Sequence, residues 1–477
     1  MTHKDKIQYH KWSSKEYKKL FQSVRELLDI KSIQFYMPLY SLYFYVHNNP
    51  KANLKMDLKR NFYLQEITGI TKERYYNSNM FLVGSIYDSG KNIVEEKEFF
   101  CKTIPIVDTM HCINDNYNFV TKNNYHLPSA YNHNTFKKIN DINNTAYIDV
   151  FCSYLFGNLT HHKVNPSFAL FFGSINGIGD YKYDITDEYH DIKNDRCFNK
   201  NIEKGFKLDM YVSDEDDSDI EDISRDSLSS SESDDDEEYK DDYIAIIKDI
   251  PLQMLCIEKL NGTLEDLIDE DISEELLLSC FFQVSFALTY LQKHYEFTHN
   301  DLHINNIMYT ETTTKYLYYK YNNIYFRVPT GGKIFKIIDF GRAIFTYRNK
   351  VFLNDVFSKY GEAGGQYSYP PQVDFTLDDP GEIIEPNYHF DLCRLSMTIL
   401  EEINTNKFSE NIVTFLQDIC KNRAGESFCD MRDDFRLYMC IGRDACKALP
   451  REIILKEIFK EYRIKKSLFP RKSFYTT

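Results

Sequence analysis

The reading of this chain turns on two short stretches. The first is Phe297-Thr298-His299-Asn300-Asp301-Leu302-His303-Ile304-Asn305-Asn306-Ile307-Met308, and the second is Lys336-Ile337-Ile338-Asp339-Phe340-Gly341-Arg342-Ala343. Asp301 and Asn306 stand five residues apart, so one tight loop can aim both side chains at a single nucleotide–metal centre. The carboxylate can orient a hydroxyl nucleophile and take its proton, and the amide oxygen can ligate a cation. Asp339 follows an apolar, β-type run and adds a hard carboxylate oxygen of the kind Mg²⁺ takes. Gly341 frees the backbone just beyond it. Each stretch alone is a modest signal; the two in this order, each beside an apolar strand-like run, are a strong one.

Composition bounds what surrounds this centre. A chain of 477 residues has room for two lobes and appendages. Its eleven cysteines are odd in number and contain no C-x-x-C pair, which argues against a disulfide framework or zinc knuckle and for a reducing, cytoplasmic compartment. The net charge of −15 comes almost wholly from one segment. Asp214 to Asp242 holds sixteen Asp/Glu against two Lys/Arg, a net of −14, which leaves the rest near −1. No basic domain points to nucleic acid. The N-terminus shows no apolar signal region. The run Leu276 to Leu291 is too short and too interrupted by Ser279, Gln283 and Ser285 to span a membrane, and it reads as a buried helix.

Taken in order, residues 1–78 read as a helical N-terminal extension, opened by the capping box Ser13-Ser14-Lys15-Glu16. From Met80 the pattern turns extended: Met80 to Gly84, a turn at Asp88-Ser89-Gly90-Lys91, then Glu98 to Ile104 ending around Lys102. A helix over Asn144 to Leu159 carries Asp149 as its one acid. It is followed by a Pro166 turn and the strand-like Ala169 to Gly173. Residues 174–210 are polar and carry little pattern. The Asp/Ser-rich tract at 213–242 cannot bury a core and reads as a disordered insert. A buried strand at Leu252 to Leu260, a helix at Glu274 to His294, and a hairpin turning at Asn322-Asn323 come next. Tyr388 to Met397 opens another buried helix, containing Asp391, and the tail reads as helical with a basic, solvated end.

These residues resemble the eukaryotic-like protein kinase superfamily over about residues 80–460. Haspin-like kinases are similar in having Asp301-Leu302-His303, a hairpin between the two stretches, no Ala-Pro-Glu and a Phe390-Asp391-x-x-Arg394-Leu395 helix. The predicted serine/threonine kinases of large nucleocytoplasmic DNA viruses look similar across the whole core, including Asn143-Asn144-Thr145-Ala146-Tyr147-Ile148-Asp149. The resemblance implies an α+β, two-lobed protein-kinase-like fold. Its N-lobe would span 79–258, with the insert 213–242, and its C-lobe and C-terminal helices 259–477. It implies ATP and Mg²⁺ as cofactors. Asp301 would be the base, His303 an auxiliary phosphate contact, and Asn306 and Asp339 the metal ligands. Lys102 would anchor phosphates with Asp149 as its partner, although a surface lysine on an edge strand reads the same way. Gly84 would belong to a degenerate phosphate-covering loop, Val83 to Gly90. Glu258, Lys259 and Leu260 would form the adenine-binding hinge, and His299 and Asp391 would hold the catalytic loop. Asn300 and His303 replace the family's usual arginine and lysine.

The expected activity is phosphoryl transfer to Ser/Thr hydroxyls of protein substrates. A pseudokinase scaffold and a small-molecule phosphotransferase are the alternatives. The acidic insert offers a surface for a basic protein partner, and its Ser218, Ser229, Ser231 and Ser233 each have an acid three residues on. Neither nucleic acid nor a membrane is an expected partner. The compartment is the cytoplasm, or a viral factory or virion if the chain is viral.

Overall fold

The computed structural model describes residues 7–46, 54–73, 77–117, 127–131, 136–211, 242–359, 361–367, 384–431 and 435–477. The fold is α+β, with several separate sheets. Among the described residues one compact unit takes in those within 7–150, 170–211 and 242–259, and a second those within 151–169 and 260–477. Apart from Asp242, the acidic insert and its serines lie outside the described residues.

The first unit is built on an antiparallel sheet. Its strands are β1 (Lys31–Gln34), β2 (Phe62–Glu73), β3 (Met80–Asp88), β4 (Ile93–Pro105), β5 (Phe171–Asp184), β6 (Phe206–Tyr211) and β7 (Asp242–Glu258). Six run in the order β1-β5-β7-β4-β3-β2, and β6 pairs with β7 off this path. The long β7 changes partner along its length: residues 242–247 pair with β6, and 252–258 with β4. Between them Asp249 takes a φ of +51°, and Pro251 follows with no N–H to give to a ladder. The run Leu252 to Leu260 reads as a strand by itself because this bulge interrupts the longer one.

Residues 1–78 are helical only in part. Helix α1 (Ser14–Leu28) starts where expected, with Ser13 and Glu16 capping each other, and buries Leu20, Phe21 and Val24. Residues 62–73, however, are β2, a full strand of the sheet. The segment before β2 is tied to the same unit by the bonds that its buried Asp57–Arg60 pair makes to Trp12 and Phe172. Arg60 Nη1 lies 2.7 Å from Asp57 Oδ2, Trp12 Nε1 donates to that same oxygen, and Arg60 Nε donates to the Phe172 carbonyl. The extension is therefore part of the first unit and not an appendage to it.

Strand β3 alternates cleanly, burying Leu82, Gly84, Ile86 and Asp88. Gly84 is there because β2 passes too close for a side chain: a Cβ would sit 2.5 Å from the Glu66 carbonyl oxygen. Gly84→Ala should cost about 1–3 kcal/mol through overpacking. A urea melt checks it, with the midpoint expected to fall at unchanged slope.

The second unit centres on α3 (Glu274–Tyr295), capped by Ser273. Among the described residues it is the one helix long and apolar enough to cross a bilayer, and 78% of its apolar window is buried. Two of its polar interruptions are bonded inside the protein: Ser279 donates to the Pro329 carbonyl, and Gln283 Oε1 accepts the Phe335 N–H. Phe282 packs on Phe326 at 5.0 Å and on Phe459 at 5.3 Å between ring centroids. A three-stranded sheet joins β8 (Gly262–Thr263), β9 (Ile307–Glu311) and β12 (Lys333–Ile337) in that order. Between β9 and β12 stands the expected hairpin, β10 (Tyr316–Tyr321) and β11 (Ile324–Pro329), with Asn322 at φ +52° in its two-residue turn. Helices α4 (Phe390–Glu402) and α5 (Phe435–Asp444) follow. The tail departs from the helical expectation: Arg463–Ile464 and Tyr475–Thr476 are short strands that extend the hairpin's sheet on both sides.

Candidate active site

In the second unit, β9 and β12 are antiparallel with Ile307 opposite Ile337. Asn306 enters β9 and Asp339 leaves β12 at the same end of the pair, and the Ile338 N–H donates to the Asn306 carbonyl at 3.1 Å. Two residues of hard-oxygen type, far apart in the sequence, are thus brought to the same end of one strand pair by register. Asp339 has φ +59°, a left-handed conformation that Asp tolerates better than most residues, and its Oδ1 accepts the Gly341 N–H at 3.2 Å. The next side chain, Phe340, is buried against Phe156 at 5.1 Å and His299 at 5.6 Å.

The loop 299–306 is suspended from fixed points. Thr298 and Ile344 exchange backbone hydrogen bonds of 2.9 and 3.0 Å. Asp391 on α4 is fully buried, and its two oxygens accept the His299 and Asn300 N–H groups at 2.9–3.1 Å. The His299 ring donates from Nε2 to the Ile338 carbonyl at 2.8 Å, tying the loop to the Asp339 turn. Asn300, at φ +64°, donates from Nδ2 to Thr298 Oγ1 and to the Arg342 carbonyl.

Within the loop, Asn306 Nδ2 donates to the Asp301 carbonyl at 2.8 Å and to His303 Nε2 at 2.9 Å. Pinning the nitrogen leaves the amide oxygen as the atom to present to a cation. His303 Nε2 is thereby engaged inside the loop. Among the described residues no cluster of three or more His, Cys, Asp or Glu forms a metal cage. Two donors, Asn306 and Asp339, suit Mg²⁺, which keeps several waters and takes few protein ligands.

Burial pushes the Asp391 carboxyl up, and the His299 charge and the two N–H donors pull it back only in part. A carboxyl raised in the folded state contributes most at low pH, and that contribution is lost as pH rises through the raised value. Asp391→Asn should therefore flatten the decline in melting temperature over that window relative to wild type. Asp391→Ala, which strips buried N–H groups of their acceptor, should destabilise by about 2–4 kcal/mol. Thermal melts from pH 4 to 7 check both.

In the first unit, Lys102 Nζ and Asp149 Oδ2 form an ion pair of 2.8 Å. The aspartate side chain reaches the lysine directly. Its side chain is 1% exposed against 23% for Lys102, so the acid is the buried partner and the lysine the accessible one. Asp149 lies on α2 (Thr145–His161), and Lys102 on β4 faces away from buried Phe99 and Cys101. Gly84 is not in a covering loop: Val83 to Asp88 is strand, and the turn around Gly90 is the hairpin between β3 and β4, held by the Asp88 carboxylate. At the end of β7, the Glu258 N–H donates to the Leu170 carbonyl, and the Glu258 carboxylate accepts the Leu170 N–H, both at 2.9 Å. The Glu258 N–H is thereby taken. Lys259 pairs with Glu98 at 2.8 Å, and Leu260 is buried.

Two participants escaped sequence reading. Arg342 reaches back to the Asp301 carboxylate at 3.4 Å and out to Glu362 at 2.6 Å. Burial works against its charge, and the Asp301 and Glu362 carboxylates more than offset this, so the guanidinium stays protonated. Arg342 was visible as the residue after Asp-Phe-Gly, but nothing in the sequence tied Glu362 to it.

No protein-family model matches the chain, and no curated protein matches it. The functional reading rests on the residues and their geometry.

Proposed function

We propose that this chain is an ATP- and Mg²⁺-dependent protein kinase of two-lobed, kinase-like fold that transfers the γ-phosphate to Ser or Thr hydroxyls of protein substrates. One observation carries it. Asn306 and Asp339 emerge together from the end of β9 and β12, beside a loop whose Asp301 is held through Asp391, Asn306 and Arg342. Scaffolding alone requires none of these groups.

Asp301 orients the acceptor hydroxyl and accepts its proton as the phosphoryl group moves. The Asn306 amide oxygen and the Asp339 carboxylate would hold Mg²⁺, which when bound neutralises charge on the phosphate oxygens. Asp391 fixes the loop backbone, and His299 ties it to the Asp339 turn. Lys102, held in place by buried Asp149, would grip non-transferred phosphates. His303 acts here by orienting Asn306.

The pseudokinase reading draws on Gly84, whose strand position removes the proposed covering loop. A panel of acceptors separates the alternatives. Wild type is incubated with γ-labelled ATP, Mg²⁺, and either generic proteins or small hydroxyl compounds. Label on protein Ser/Thr supports the proposal, and label on small acceptors alone makes it a small-molecule phosphotransferase. Nucleotide binding without transfer makes it a scaffold.

Asn300 carries no charge to receive a phosphate and spends its side chain on Thr298 and the Arg342 carbonyl. Activity should therefore survive phosphatase treatment within about twofold. Loss of activity traced to a mapped phosphosite between Arg342 and Pro371 would contradict this.

A further inference from the structure

Arg342 joins two carboxylates that sequence places far apart. Its Nη1 lies 3.4 Å from Asp301 Oδ1, and its Nη2 lies 2.6 Å from Glu362 Oε1. The guanidinium carbon stands 5.9 Å from the centroid of the Tyr438 ring on α5, and the Arg342 carbonyl accepts from Asn300. The side chain is thus fixed at its backbone, on one face and at both ends of its fork.

Glu362 is presented by an equally fixed turn. The Gly361 N–H bonds to the Ser358 carbonyl at 2.8 Å, and the Ala363 N–H to the Val356 carbonyl at 2.9 Å. A Cβ on Gly361 would lie 2.2 Å from the Val356 oxygen, so only glycine fits beside Glu362. Ala363 and Tyr367 then bury themselves against Ile344 and Phe357. The Glu362 side chain itself is 70% exposed, which makes its pairing energy small. Its geometry is what matters.

We propose that Arg342 is a positioning residue for Asp301, and that Glu362 fixes Arg342. A carboxylate–guanidinium–carboxylate bridge then couples residues 361–367 to the catalytic aspartate. The inference rests on the kinase reading for the reaction it serves. Arginine suits the task because its planar fork addresses two carboxylates in fixed directions, which a lysine ammonium cannot. A glutamate in the turn supplies permanently the anionic anchor that a phosphorylated residue supplies only after modification.

The test compares Arg342→Ala, Arg342→Lys, Glu362→Gln and Glu362→Asp with wild type. It reads kcat, the KM values for ATP and for a protein acceptor, and hydrogen exchange of the 299–306 amides. Misplacing Asp301 should lower kcat about 100-fold in Arg342→Ala and about tenfold in Arg342→Lys, with KM for ATP within about twofold. Glu362→Gln should lose about threefold to tenfold, and Glu362→Asp should recover most of it. Exchange at 299–306 should quicken in Arg342→Ala and Glu362→Gln, while α3 is unchanged. Wild-type or raised kcat in Arg342→Ala, or a loss confined to KM for ATP, overturns the proposal. If Arg342→Ala fails to fold, the exposed Glu362 variants decide. If wild type transfers no phosphate, the kinase reading falls, and the exchange comparison decides the coupling alone: unchanged protection at 299–306 refutes it.

Discussion

Asp301→Asn is expected to lower phosphoryl transfer by about 10²–10⁴-fold while Mg²⁺–ATP still binds. The substitution keeps the shape of the side chain and removes its ability to take a proton. Its backbone carbonyl still accepts from Asn306, so the loop stays built. Arg342 loses one of its two carboxylates but keeps Glu362, so no isolated buried charge is left. Single-turnover transfer and calorimetric nucleotide binding, measured side by side, separate the chemical step from binding. Equal turnover by mutant and wild type would remove Asp301 from the mechanism.

Lys102→Met carries the second large effect, and it divides into two parts. Loss of a preorganised cation should lower kcat/KM for ATP by about 10²–10³-fold. The Asp149 carboxylate, 1% exposed, also loses its ion-pair partner, at a cost of about 1–3 kcal/mol in stability. Adding Asp149→Asn should recover stability by removing the buried charge, yet leave transfer as low as in the single mutant. Recovery of both would mean the pair is structural only. Recovery of neither would mean that Asp149 serves some further group.

What sequence could and could not disclose follows from how local each feature is. Asp301, Asn306 and Asp339 lie within short, contiguous patterns, and strand register does the rest, so their conjunction was legible. The hairpin at Asn322-Asn323 was legible for the same reason, since its turn fixes its register. Strand β2 was not. Its pairing with β3 shifts register between Leu64 and Glu66, between Ile67 and Gly69, and between Ile70 and Lys72, and each shift breaks the two-residue alternation that marks a strand. Gly84 was misread because a glycine near a turn suggests a loop, whereas this one is required by a carbonyl passing behind a strand. The Arg342–Glu362 contact depends on how a glycine-rich turn folds back, and no periodicity reports that. Asp149 is legible as the one acid on its helix, whereas its reach to Lys102 depends on how that helix packs on β4, which no local pattern reports.

Phosphoryl transfer itself is the central claim, and one labelling experiment addresses it most directly. Wild type and Asp339→Ala are incubated with generic protein acceptors and either γ-labelled or α-labelled ATP, across a Mg²⁺ titration. Wild type is expected to place label on Ser or Thr from the γ position only, and only with Mg²⁺, while Asp339→Ala stays near background. Equal labelling by Asp339→Ala, or no transfer by wild type at any Mg²⁺ concentration, would contradict it.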